Sequence, residues 1–107
     1  MQRRIVVKLL EGGDCYEAAA KYVLDHPDMT LVHGEPFLQR EPYERFGHAW
    51  VEIEGLVAID VANGKHTELP VLLYYGLGHI NALECKRYTA AEVRRKILET
   101  EHWGPWE

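Results

Sequence analysis

Two stretches near the middle of the chain alternate apolar and polar residues, which is the pattern of half-buried β-strands. They cover residues 47–53 and 56–61 and flank the turn pair Glu54-Gly55, so they predict a β-hairpin. Further strands are predicted at residues 5–10, 30–33 and 82–88. Together these segments indicate a small antiparallel sheet.

Helix signals stand on both sides of the sheet-forming segments. Asp14 precedes an alanine-rich stretch and Glu17 follows three residues later, which is the spacing of a capping box, so a helix is expected over residues 15–25. The same spacing recurs at residues 89–92 and predicts a C-terminal helix that ends near residue 101. The fold class is therefore expected to be α+β, with the N-terminal helix packed on the sheet.

Prolines mark the segments between these elements. Pro70 is well placed in the first turn of a short helix that would run through Tyr75. Residues 34–46 are polar and contain two prolines, so they are expected to form a loop, and long loops in small domains are often functional. The aromatic tail at residues 102–106 is expected to pack on the body of the domain.

Composition and charge fit one globular domain. The chain has 107 residues, 47% of them hydrophobic and 27% charged, so a single domain over residues 1–107 is expected. The net charge of −5 argues against a nucleic-acid or membrane-surface partner, and no apolar run reaches the roughly 18 residues of a membrane span. The N-terminal apolar stretch is broken by Lys8 and lacks a signal-peptide cleavage site, so a cytoplasmic location is expected.

The two cysteines, Cys15 and Cys85, are expected to stay unpaired in a reducing compartment. Cys85 lies in a strand-like run and is expected to serve packing. Cys15 opens the first predicted helix, where unpaired backbone N–H groups and the helix dipole favour a thiolate, the nucleophilic form. Two preceding glycines allow a sharp turn and close approach of a substrate. Cys15 is therefore a candidate nucleophile, and the alternative is a small core residue at a helix start.

The apolar residues of the hairpin determine which residues share a face. One face is expected to be buried and to contain Ala49, Val51, Ile53, Val57, Ile59 and Val61. A three-residue loop of residues 53–55 brings the two apolar sets together and pairs Glu52 with Leu56. In that register His48 lies directly opposite Asp60 on the other face, with Cβ atoms about 5 Å apart. Such a pair would either position a catalytic histidine or form an ion pair at the surface.

Cys15, His48 and Asp60 together have the chemistry of a catalytic triad. The histidine would accept the thiol proton, while the aspartate would orient the ring and favour the imidazolium. The backbone N–H of Cys15 is a natural oxyanion donor, and Gln39 or the Trp50 indole is the candidate for the second donor or for a substrate contact. The histidines have no metal-ligand spacing, and a zinc site built from the same three residues would need further ligands.

The same residues resemble a known group of enzymes. A glycine-preceded cysteine at a helix start, the stretch Gly47-His48-Ala49-Trp50-Val51-Glu52 and a strand ending in aspartate are similar to the transglutaminase-like branch of the papain-like superfamily. Lasso-peptide leader peptidases and many bacterial transglutaminase-like proteins have a similar stretch. The chain also resembles small phage and bacterial proteins of unknown substrate, through residues 13–19, 32–34, 74–75 and 104–106.

The resemblance implies a thiol hydrolase or acyltransferase that acts on the peptide or amide bond of a peptide or protein substrate. Cys15 would be the nucleophile, His48 the general base and acid, and Asp60 the orienting group, with no cofactor. Two other interpretations stay open. One is a papain-like module without catalysis that binds a partner, such as a phage-encoded inhibitor of a host protein. The other is a small structural protein.

Two further segments are candidates for the walls of a substrate groove. The loop of residues 35–45 precedes His48 and would cap the site by its position. Tyr74, Tyr75 and the C-terminal tryptophans would line the groove, or else belong to the core and its rim.

Overall fold

The computed structural model describes residues 14–106, and the strand predicted at residues 5–10 lies outside this range. Within it the helices are α1 (Cys15–Asp25), α2 (Val71–Gly78) and α3 (Ala90–Thr100). The strands are β1 (Thr30–Gly34), β2 (His48–Ile53), β3 (Val57–Asp60), β4 (Thr67–Pro70) and β5 (Lys86–Tyr88). The fold is α+β, as predicted, with the cysteine-bearing helix packed on an antiparallel sheet and a C-terminal helix beside it.

The described strands form one sheet in the order β4-β3-β2-β1-β5. Helices α1 and α3 pack on one face, over a core that includes Ala19, Val23, Leu31, Val51, Ile59 and Val93. On the other face α2 covers Val32, Trp50 and Ala58, mainly through Val71, Tyr74 and Tyr75. The centre of the sheet is thus buried on both faces, whereas the alternation along the hairpin predicted one buried face.

In the hairpin the predicted residues share each face of the sheet, but the two strands pair in a different register. Val51 pairs with Ile59 and Glu52 pairs with Ala58, around a loop of residues 54–56. The predicted pairing of Glu52 with Leu56 was therefore wrong by two residues. The apolar pattern determines only which residues share a face, and a shift of two residues keeps every side chain on its face.

Three other segments test the predicted elements. Of the strand predicted at residues 82–88 only β5 forms, because residues 82–84 make a 3₁₀ turn that the Asn81 side chain caps through the Leu83 N–H. Strand β4 was not predicted, since it is a largely exposed edge strand without alternation. Pro70 is its last residue, and α2 then runs beyond Tyr75 to Gly78.

The C-terminal part follows the prediction closely. The capping box of α3 is present, with the Thr89 N–H donating to the Glu92 carboxylate and the Glu92 N–H donating to the Thr89 hydroxyl. In the tail, the Trp106 ring is buried against His33 and Tyr88, which confirms that the tail packs on the domain. None of the helices found in residues 14–106 is both long and apolar enough to cross a membrane.

Candidate active site

The start of α1 places Cys15 close to the end of β3. The Asp14 side chain does not cap the helix; its Oδ1 instead accepts a hydrogen bond of 2.7 Å from the backbone N–H of Asn63. Asn63 lies in the 3₁₀ turn that directly follows β3, so this bond ties the helix start to that turn. The predicted capping box between Asp14 and Glu17 was therefore wrong, because the turn after β3 supplies the donor that the Asp14 carboxylate binds.

His48 and Asp60 are hydrogen bonded across the hairpin. His48 Nε2 lies 2.8 Å from Asp60 Oδ2. The two residues share a face as predicted, but the observed register, continued by one residue, places Trp50 rather than His48 opposite Asp60. They are therefore diagonal neighbours, and the length of the imidazole side chain bridges the added distance. With side chains only 14% and 23% exposed, they do not form the surface ion pair considered above.

Asp60 accepts two more hydrogen bonds besides the one from His48. The Ala62 backbone N–H donates to Oδ1 at 3.1 Å, and the Tyr74 hydroxyl donates to Oδ2 at 2.8 Å. Burial alone would raise the pKa of Asp60, but His48 and these two donors outweigh it and hold the pKa below its usual range. Asp60 is thus a fixed carboxylate whose oxygens are both occupied.

The sequence did not assign this role to Tyr74. A weak signal was present, since Val71, Tyr74 and Tyr75 have the spacing of one helix face, and that face packs on the sheet side that carries His48. Tyr75 serves a different group on the same side: its hydroxyl donates to the buried carboxylate of Glu52. Both tyrosines are half-buried and pack against Val32, Trp50 and Ala58, and Tyr74 contacts the candidate site as well.

The imidazole of His48 interacts with Cys15 as well as with Asp60. Burial would lower the pKa of His48, but hydrogen bonds from its ring to Asp60 and to Cys15, with the negative charges of both, raise that pKa to about 9. Because Asp60 holds Nε2, Nδ1 is the ring nitrogen left for the Cys15 sulfur. The three predicted residues are therefore brought together, with the histidine between the other two.

The two candidate oxyanion donors bind elsewhere in this structure. Gln39 Nε2 donates to the Leu77 carbonyl at 2.6 Å, and the single N–H of the Trp50 indole donates to Glu52 at 3.1 Å. Trp50 has no second N–H to direct at a substrate. Its contribution is to stack on the His48 ring at a centroid distance of 6.1 Å.

The loop before β2 lines a cavity beside the triad. The cavity has a volume of about 290 Å³ and reaches His48 and Asp60. Its apolar walls include Pro36, Phe37, Leu38, Phe46, Tyr74 and Leu77. The predicted position of this loop next to the site is confirmed. Cys15 itself is only 3% exposed.

Both cysteines are free, and burial raises the pKa of the Cys85 thiol. Cys85 packs beneath Trp50 on the α2 side of the sheet, as expected of a packing residue. In the described range 14–106 no three His, Cys, Asp or Glu side chains are grouped so that they could hold a metal ion. No protein-family model, curated protein or solved structure matches this chain.

Proposed function

We propose that the protein is a thiol-dependent hydrolase or acyltransferase that acts on peptide or amide bonds through Cys15, His48 and Asp60. One observation carries the proposal: the His48 ring is held by Asp60 at 2.8 Å and also interacts with Cys15. A pKa of about 9 favours the imidazolium form of His48 at neutral pH, and that form stabilises a neighbouring thiolate.

The chemistry takes place in two steps. The Cys15 sulfur bonds to the carbonyl carbon, and the leaving amine departs with the proton that His48 held, which gives an acyl-enzyme. His48 then removes a proton from water or from an acceptor amine, whose oxygen or nitrogen displaces the sulfur. Water completes hydrolysis and an amine completes acyl transfer. Asp60 keeps the ring oriented throughout.

The proposal extends to family, substrate and compartment. The resemblance of residues 47–52 supports membership of the papain-like superfamily in its transglutaminase-like branch. The substrate would be a peptide or protein. A cytoplasmic location is proposed on the two free cysteines, which a reducing compartment maintains.

A second candidate function is favoured by the burial of Cys15. With 3% of the residue exposed, the same fold could serve as a binding module that keeps the three residues for structure. That function predicts that Cys15→Ala leaves the biological effect of the protein intact, whereas the catalytic proposal predicts that the effect is lost.

The test is the pH dependence of alkylation by iodoacetamide, read separately at Cys15 and Cys85 by peptide mapping between about pH 4 and 9. Burial slows Cys15 by a constant factor at every pH, whereas a thiolate–imidazolium pair changes the shape of the profile. We expect Cys15 alkylation to stay at its plateau well below the ordinary thiol pKa of about 8.5. Cys85 should react only toward the alkaline end, because burial raises its pKa.

Two variants distinguish the thiolate–imidazolium pair of Cys15 and His48 from the general effect of removing a histidine. His48→Ala should give Cys15 the profile of an ordinary thiol, because the imidazolium is gone. His66→Ala, at an exposed histidine whose described contacts are with Glu68 and the Tyr22 ring, should leave the profile unchanged. An ordinary thiol profile for Cys15 in the parent protein would contradict the proposal.

A further inference from the structure

A second cavity lies beside the chain neighbours of Cys15 and His48. It has a volume of about 330 Å³ and is lined by Tyr16, which follows Cys15, and by Gly47, which precedes His48. The buried residues His33 and Trp106 also line it, whereas its charged residues, such as Glu35, are exposed. The wall thus combines aromatic rings with polar groups in similar measure, and polar groups placed in a pocket orient a bound ligand.

The Tyr16 hydroxyl has a fixed place at this cavity. A Cβ atom on Gly47 would lie 2.5 Å from Tyr16 Oη, so the hydroxyl occupies the space that a side chain at position 47 would need. The Tyr16 ring is held edge-on against His33, with 4.9 Å between ring centroids. The hydroxyl therefore sits next to the backbone that leads into His48.

This hydroxyl is available as a hydrogen-bond donor. No residue of the described chain, 14–106, bonds to it, whereas the hydroxyls of Tyr74 and Tyr75 are committed to Asp60 and Glu52. Burial, together with the negative charges of Cys15 and Glu35, raises the pKa of Tyr16 to about 12, so the hydroxyl keeps its proton at neutral pH. Tyr16 follows Cys15 directly in α1, and its hydroxyl lies against Gly47, which directly precedes His48.

We propose that the Tyr16 hydroxyl is the second oxyanion donor of the candidate active site and that the adjoining cavity takes the acyl part of the substrate. The inference rests on the proposed function, because it requires Cys15 to attack a carbonyl. The second donor was sought at Gln39 or Trp50, of which Gln39 donates one N–H to the Leu77 carbonyl and Trp50 donates its single indole N–H to Glu52. Tyr16 fills the position that these residues leave open.

In the attack on the carbonyl, the Tyr16 hydroxyl would donate a hydrogen bond to the oxygen that becomes negatively charged. As the sulfur–carbon bond forms, the π pair of the carbonyl moves onto its oxygen. That oxygen then accepts hydrogen bonds from Tyr16 Oη and from the backbone N–H of Cys15. When the carbonyl forms again, the bond to the leaving group breaks and the negative charge on the oxygen disappears. Tyr16 therefore stabilises the tetrahedral intermediate and its transition states.

Two reagents that the Cys15 sulfur attacks differ in whether an oxyanion forms. Iodoacetamide reacts at a saturated carbon and expels iodide, so no oxyanion forms. With p-nitrophenyl acetate, a tetrahedral oxyanion forms, p-nitrophenolate leaves and acetylated Cys15 results. We expect Tyr16→Phe to slow acetylation of Cys15 about 100-fold, the usual loss for one oxyanion donor, while alkylation keeps the parent rate. Both rates are read at Cys15 by peptide mapping.

The matched control is Tyr22→Phe, which removes a hydroxyl from the same helix, next to His26 and away from the cavity. It should leave both rates unchanged. Equal acetylation rates for the parent and Tyr16→Phe would overturn the inference while leaving the proposed function in place. Equal slowing of both reactions would also overturn it, because Tyr16 would then act on the thiolate. A Cys15 that reacts with neither reagent would overturn the proposed function and, with it, this inference.

Discussion

At the scale of single residues, Asp60 is the best-determined member of the candidate triad. Its two oxygens accept hydrogen bonds from His48, Tyr74 and the Ala62 backbone, so the carboxylate cannot rotate without breaking at least one bond. Hydrogen bonds of this kind stabilise the charged form of a carboxyl group. The geometry of His48 therefore depends on Tyr74, a residue that does not touch Cys15 in any observed hydrogen bond.

Tyr74→Phe tests this dependence. Removing the hydroxyl takes away one of the donors that lower the pKa of Asp60, so we expect that pKa to rise toward its usual range. A carboxyl group whose pKa is lower in the folded protein than in the unfolded chain stabilises the fold at a pH above the unfolded-state pKa. This stabilisation is lost as the pH falls through the folded-state pKa. The variant, whose folded-state pKa is higher, should therefore lose it at a higher pH. NMR titration of the Asp60 carboxyl carbon measures the change.

Tyr43→Phe provides the comparison, because Tyr43 is 58% exposed in the loop before β2. It should leave the titration of Asp60 as in the parent protein. If Tyr74→Phe also left it unchanged, the Tyr74 bond would have no effect on the carboxylate.

The sequence could predict the triad but not its support. Cys15, His48 and Asp60 were found because helix capping and strand alternation act over a few residues and place each side chain on a face. Tyr74 donates to Asp60 only because α2 lies across the second face of the sheet. No local pattern contains that packing, and the alternation along the hairpin predicted the opposite, a sheet with one open face.

At the scale of secondary structure, the turn between β2 and β3 shows how far local rules reach. Glu54-Gly55 was predicted as the turn pair, and both residues have positive φ, 53° and 69°. The pairing nevertheless differs by two residues from the prediction, since the apolar pattern is the same in both registers. Both registers leave a three-residue loop, 53–55 in the prediction and 54–56 in the structure, so loop length does not decide between them.

Two glycines in different elements should respond to alanine with opposite signs. Gly55 has a φ of 69°, which an alanine adopts only with strain, so Gly55→Ala should lower the free energy of unfolding by about 1 kcal/mol. Gly76 lies inside α2 with open space where a Cβ would be, so Gly76→Ala should raise it by about 0.5 to 1 kcal/mol. Urea unfolding of the three proteins measures both changes. A Gly55→Ala protein as stable as the parent would contradict the turn geometry.

At the scale of the whole molecule, His33 joins three parts of the chain. Its ring packs between Tyr16 of α1, Tyr88 of β5 and Trp106 of the tail, at centroid distances of 4.9, 5.0 and 5.2 Å. The residue is 6% exposed, and within residues 14–106 its Nε2 has no hydrogen-bond partner. A proton on Nε2 would therefore be a buried charge with no hydrogen-bond partner among residues 14–106, which is costly.

This burial gives the protein a predictable sensitivity to acid. Burial, and to a smaller extent the charge of Lys86, lowers the pKa of His33 from 6.5 to about 4. Between these values the unfolded chain binds a proton that the folded protein does not, so stability falls as the pH is lowered from about 6.5 to 4. A shift of this size corresponds to about 3 kcal/mol in the free energy of unfolding.

His33→Phe isolates the contribution of this one residue, since carboxyl groups also titrate near pH 4. Phenylalanine keeps a ring among the three aromatic neighbours and cannot bind a proton, so the variant should lose about 3 kcal/mol less than the parent between pH 7 and pH 4. Urea unfolding at both pH values gives the double difference. His79→Asn removes an exposed histidine at a positive φ that asparagine tolerates, and it should lose as much stability as the parent. If His33→Phe and the parent lost equal stability over this range, His33 would be free to take up its proton in the folded protein, and the tight aromatic packing between α1, β5 and the tail would have to open in acid.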